Sequence, residues 1–254
     1  MNGLLAFTKK EFREHIYNYK ALILLAVFFV FGMISPLLAK MMPEIFSHMS
    51  IEGLTITITE PTYIEAYSQF FKNITQMGII VILLIFSGIL SRELTRGTLI
   101  IVLAKGLSRH AVILAKYFVA LTLWTISYSL AAIINFGYTF YLFGQFYAPN
   151  LLFSLFCLWL FGVFILAVVM MTSTLTSGNY AGLLLTAAIL GILLTINIFP
   201  TIKKFNPVSL ASNNIALITN TKSVSELLIT IWITLALSSF CLLISLIVFR
   251  RKKL

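Results

Sequence analysis

Residue types that could do chemistry are few in this chain, and they are scattered. All eight acidic residues are glutamates, and the three histidines, His15, His48 and His110, stand in separate segments. No H-E-x-x-H pair offers a zinc site, and no glycine is followed by lysine, so the G-x-x-x-x-G-K-[ST] loop that cradles nucleotide phosphates is missing. Cys157 and Cys241 lie inside apolar runs and read as small hydrophobes rather than a disulfide frame. The long apolar runs contain Ser, Thr, Asn135 and Asn197, but no His or carboxylate partner within the same run. No catalytic residue, metal site or directly bound cofactor is therefore expected. A proton-coupled carrier would likewise have nothing to protonate at mid-membrane.

The elements that must position these residues follow from composition. Of 254 residues 60% are apolar and 10% charged, and the mean hydropathy is +1.01. A soluble domain carries about 25% charged residues, so a water-soluble enzyme is excluded. A helix crossing the bilayer needs about 20 mostly apolar residues, and lipid offers no water to an open backbone. Six stretches meet that demand: 21–39, 74–91, 111–143, 151–171, 180–199 and 227–249. The runs are continuous rather than alternating, which excludes a barrel. The expected fold is an all-α polytopic membrane protein with six transmembrane helices, forming one membrane domain with no appended soluble domain.

The net charge of +10, from 18 Lys plus Arg against 8 acids, is explained by where the cations fall. With the N-terminus in the cytoplasm, 13 cations flank the inner ends of the spans against Glu11, Glu14 and Glu93. Five cations face five glutamates outside, although Lys203, Lys204 and Lys222 in one outer loop run against the bias. The positive-inside rule thus places both termini in the cytoplasm and explains the basicity without nucleic acid. The expected location is the cell membrane.

Three segments are neither spans nor simple turns. In residues 3–20, Leu5, Phe12, Ile16 and Tyr19 share one helical side, and Lys9, Arg13 and Lys20 fall away from it. That pattern predicts an amphipathic helix in the cytoplasmic interface. The first outer loop alternates over 54–59, as a short extended piece would, and Tyr63, Tyr67, Phe70, Phe71 and Ile74 then recur at helical spacing as an interfacial helix leading into the second span. After Pro200 the chain is too polar to cross yet apolar enough to dip back in, which predicts short re-entrant helices around Asn206 and Pro207.

The inner loop 92–110 holds the most specific pattern. Gly97 and Thr98 can start a short helix, Lys105 and Gly106 can stop it, and Leu99, Val102 and Leu103 give it an apolar side. With Glu93, Arg96, Ser108 and Arg109 around it, the segment resembles the signature of ABC-2 type permeases, the membrane subunits of ATP-driven exporters. That signature has an acidic-basic turn, then Gly-Thr, a run of leucines and a Lys-Pro-x-Ser-Arg-like stop. Two positions depart from it: Thr95 stands where a second acid is common, and Gly106 where proline is common. The likeness extends over the N-terminal helix, six spans, the large first outer loop and Asn206-Pro207.

The resemblance implies a permease that pairs with a second copy or a related chain and docks two separate ATPase subunits, which bind ATP and Mg. It implies that Glu93, Arg96, Gly97, Thr98, Leu99, Leu103, Lys105, Ser108 and Arg109 form a coupling helix, roughly 97–107 with its flanks. Phe12, Arg13, Ile16 and Tyr19 would belong to an elbow helix, and the second and fifth spans would line the path. The pattern is also similar to small permeases of Gram-positive bacteria that export amphipathic peptides, such as phenol-soluble modulins. Antimicrobial-peptide or drug efflux, lipid or glycan-precursor export and ATP-independent secondary transport stand as alternatives.

Overall fold

The computed structural model describes residues 2–47, 60–91, 93, 97–104, 106–176 and 178–252. The described residues are helical with no strand. Helix α1 (Asn2–Tyr17) leads through a turn, with Tyr19 left-handed at φ 57°, into α2 (Lys20–Ser47). Next come α3 (Tyr63–Phe86), α4 (Thr98–Ala104), α5 (Arg109–Phe143), α6 (Leu151–Leu175) and α7 (Asn179–Ile196). Three short helices, α8 (Pro200–Lys203), α9 (Ser209–Ser212) and α10 (Asn214–Ile218), precede α11 (Val224–Arg251).

Five of these helices, α2, α3, α5, α6 and α11, are long and apolar enough to cross a membrane, while α7 is shorter. Their boundaries differ from the sequence expectation in two places. Helix α2 continues through Pro36 and Pro43 instead of ending near residue 39. The aromatic segment after Pro61 runs without a break into the second span, so that helix starts at Tyr63 rather than near residue 74. Its start is fixed by a capping box in which Thr62 and Glu65 satisfy each other's first-turn donors. A π-helical turn at Ile74–Gly78 joins its two α-helical parts. The alternating segment 54–59 lies outside the described residues.

Helix α6 is the most buried of the long helices and forms the middle of the bundle. Helix α2 packs along α5, and α11 packs along α6. The closest approach is made by small residues, as is usual where lipid supplies no hydrophobic drive between helices. A Cβ on Gly32 would stand 2.6 Å from the Ala131 carbonyl oxygen, and one on Gly162 would overlap the Trp124 indole. Trp124 lies edge-on to Phe28 with ring centroids 5.5 Å apart and donates Nε1–H to the Trp159 carbonyl at 3.1 Å. The Tyr128 hydroxyl donates to the Leu155 carbonyl at 2.9 Å. Each large amphipathic ring thus buries its apolar body and satisfies its polar tip on the next helix.

Beyond α7 the chain folds back as α8 to α10. Asn206 fixes this turn: its Nδ2 donates to the Leu193 carbonyl at 2.6 Å, and its Oδ1 accepts from the Val208 amide at 3.1 Å. Asn206, Pro207 and Val208 are buried, and Ser154 of α6 donates to the Asn214 carbonyl at 3.0 Å. The segment is anchored to the bundle by side-chain hydrogen bonds, which explains why so polar a stretch is ordered.

Candidate coupling site

The site forms at the end of the bundle where both termini lie, from α1, α4, the start of α5 and the end of α11. Helix α4 is seven residues long and is framed by two left-handed glycines, Gly97 at φ 69° and Gly106 at φ 87°. That conformation costs a residue with a Cβ about 1–2 kcal/mol, so the glycines set both ends of the helix. The Gly106 amide closes the last turn on the Leu103 carbonyl at 3.0 Å. Thr98 does not cap with its side chain; its hydroxyl reaches the Glu93 carbonyl at 3.4 Å. Leu99 is buried, and Leu103 and Leu107 pack against the core, which pins the apolar side of α4 to the bundle. Arg96 and Lys105 lie outside the described residues.

Glu93 turns inward to an ion-pair network that links three elements. Its carboxylate lies 2.9 Å from Lys116 Nζ of α5 and 3.3 Å from Lys10 Nζ of α1. Lys116 also pairs with Glu11 at 2.8 Å, and Lys10 pairs with Glu11 at 3.1 Å and Glu14 at 2.6 Å. Lys116 and Glu11 are buried, with side chains 2% and 3% exposed, so this pair is shielded from screening. The Lys116 ammonium also faces the Phe7 ring, 5.7 Å from its centroid. Glu11, Glu14 and Glu93 come close enough together to offer carboxylate oxygens to a single cation. Lys10 and Lys116 between them pair with all three carboxylates.

Charge states at the rim follow from these contacts. Burial opposes a proton on Lys10, but the hydrogen bond to Glu14 and the Glu11 and Glu93 carboxylates outweigh it and raise its pKa. Burial acts against the charge of Glu14, yet Lys10 holds its pKa below the usual carboxylate value. His15 is buried beside Phe86 with no partner for Nδ1, and burial, aided by Lys20 and Lys116, lowers its pKa to about 4. A polar cavity of about 560 Å³ opens between these groups, walled by Lys10, Glu14, His15, Glu93 and Thr98.

The elbow residues divide between two surroundings. Phe12 packs on the core, but Arg13, Ile16 and Tyr19 are exposed, as is Leu5. The buried side of α1 is Phe7, Glu11 and His15, one residue per turn. The helix directs Glu11 and its ion pairs toward the protein, while Leu5, Ile16 and Tyr19 face outward beside Lys9 and Arg13.

Ser108 and Arg109 also serve the fold. The Ser108 hydroxyl accepts from the Ala111 amide at 3.2 Å and caps α5. Arg109 Nη1 donates to the carbonyls of Phe249, Arg250 and Lys252 at 3.0, 2.9 and 2.7 Å. Lys252 Nζ in turn donates to the Thr174 and Thr176 carbonyls at 3.0 and 3.2 Å, and burial lowers its pKa. Sequence reasoning missed Glu11, His15, Lys116 and Lys252. Lys116, a cation placed inside a long apolar run, was the available signal that a buried carboxylate partner existed.

A second concavity, an apolar groove of about 1130 Å³, lies between α5 and α6 and is walled by Tyr128, Ile133, Phe136, Leu152, Phe156 and Trp159. Its lining residues come from α5, α6 and the loop that joins them. Two of its polar groups are bonded within the protein: Trp159 Nε1 donates to Thr125 at 3.0 Å, and the Tyr128 hydroxyl donates to the Leu155 carbonyl of α6.

A bundle of long apolar helices, with a short glycine-framed helix fastened across one end, defines a multi-pass membrane protein. The chain matches the family model for ABC-2 family transporter proteins over residues 5–254 and belongs to that family. No curated protein matches it significantly.

Proposed function

We propose that this chain is the membrane permease subunit of an ATP-driven exporter, pairing with a second permease and with two separate ATPase subunits that hold ATP and Mg. In this reading α7 is the sixth span, both termini are cytoplasmic and the chain resides in the cell membrane. Helix α1 is the interfacial elbow, α8 to α10 form the re-entrant segment, and α4 is the coupling helix. The cargo is amphipathic, and amphipathic peptides suit apolar, aromatic walls such as those between α5 and α6.

The observation that carries the reading is how α4 is held. A short helix framed by two left-handed glycines is fixed by Leu99 beneath it and by Glu93 beside it to both α1 and α5. Displacing it must displace the elbow and the third long helix together. A partner can bias a two-state equilibrium only through its differential grip on the two states, and a rigidly fastened helix gives it that grip. Because Glu93, Leu99 and Arg109 are engaged inward, the partner meets Thr98, Ala104, Gly106 and His110, which are exposed.

The test is capture of the ATPase by the chain in nanodiscs. The unaltered chain should retain an ATPase subunit and stimulate its hydrolysis when cargo peptide is added. Ala104→Glu, on the exposed side, should lose capture while keeping the parent melting temperature. Transport by the chain alone, driven by an ion gradient without nucleotide, would refute the reading.

A further inference from the structure

The last carbonyls of a helix have no partner within it, and a cation there is favoured by the helix dipole. In this protein such cations join three helix ends in series. Arg109 belongs to the first turn of α5, and its single terminal nitrogen reaches three carbonyls at the end of α11, 140 and more residues away. Lys252, at the end of α11, repeats the device on Thr174 and Thr176 at the end of α6. Both cations bond backbone oxygens, not side chains, so the links act on the helices themselves. Ser108, which caps α5, and Leu107, which packs on the core, connect this assembly directly to Gly106 at the end of α4.

We propose that Arg109 and Lys252 are positioning residues for transport: a two-stage clasp that makes the ends of α5, α11 and α6 move as one body when α4 is displaced. The inference rests on the permease reading above and adds to it the route by which motion leaves the coupling helix. The Glu93–Lys116 pair carries displacement to α1 and α5. The clasp carries it onward from α5 to the last long helix and to the central α6. All three contacts are made by Nη1, which lies one bond farther from the backbone than a lysine Nζ, so arginine reaches the α11 carbonyls where lysine falls short.

The test uses Arg109→Lys, Lys252→Met and, as the conservative control, Lys252→Arg. In the chain alone, trypsin cleavage at Arg250 and Arg251 should quicken about tenfold in Arg109→Lys, the effect on local opening of losing one charge-assisted hydrogen bond. In the permease–ATPase complex in proteoliposomes, Arg109→Lys and Lys252→Met should retain the ATPase and hydrolyse ATP but move severalfold less cargo per ATP. Lys252→Arg should restore the parent ratio. Faster cleavage with an unchanged cargo-to-ATP ratio would overturn the proposal, leaving the clasp a mere end-tie, and unchanged cleavage would overturn it at the level of structure. A parent chain that captures no ATPase refutes the permease reading and this proposal with it; that failure is told apart because it occurs in the parent rather than in the variants.

Discussion

Lys116→Met tests the ion-pair network most directly. The substitution keeps the length and apolar stem of the side chain but leaves Glu11 and Glu93 facing each other at the end of the bundle. Removing one partner of a buried pair costs about 3–5 kcal/mol, because the remaining charge stays desolvated. Lys10 still lies 3.1 Å from Glu11 and 3.3 Å from Glu93, but its side chain is 49% exposed and therefore screened. The lower end of the range, about 3 kcal/mol, is expected. Chains of this size shift by roughly 2–4 °C per kcal/mol, so the melting temperature should fall on the order of 10 °C. Cys157 and Cys241 are free and buried, so a dye that fluoresces on reaction with thiols reports unfolding without added labels. Combining Glu11→Gln with Lys116→Met removes the more deeply buried of the two stranded charges and should recover at least half of the loss. A Lys116→Met protein melting within about 2 °C of the parent, or a double variant below both singles, would falsify the assignment of this network as the fastening between α1, α4 and α5.

Two further outcomes follow from buried polar groups. The pKa of His15 is lowered from 6.5 to about 4, so its stabilising contribution is complete above pH 6.5 and is lost as pH falls toward 4, where the unfolded chain binds a proton that the folded one refuses. The loss amounts to about 3 kcal/mol; melting temperature against pH should show this acid limb, and His15→Leu should flatten it. Asn135 is wholly buried in α5 with neither end of its amide bonded. Asn135→Leu removes that desolvation and should raise stability by about 1–2 kcal/mol in the same thiol assay; a fall would show that the amide has a partner.

Much of the fold was legible because lipid imposes a simple rule on sequence. Continuous apolar runs marked every long helix, and Gly97 and Gly106 marked the ends of α4 within the expected segment. The boundaries of α2 and α3 were less legible. Pro36 and Pro43 do not end a helix whose neighbours hold it, and Thr62 with Glu65 starts the second span a full three turns before its apolar run. The site was harder still. Glu11 pairs with Lys116 across 105 positions, and Arg109 reaches the end of α11 across 140. No local periodicity encodes such pairings. Glu93, Ser108 and Arg109 stand where the resemblance marks the coupling segment, yet their side chains are spent on holding that segment in place.

Gly32 and Ala131 bring two backbones together so tightly that a single methyl group would strike a carbonyl oxygen. Such a seam can slide or pivot, but it cannot be shimmed. Whatever width this molecule needs to open must be found along other joints, with α2 and α5 travelling as the two rails of one fixed gauge.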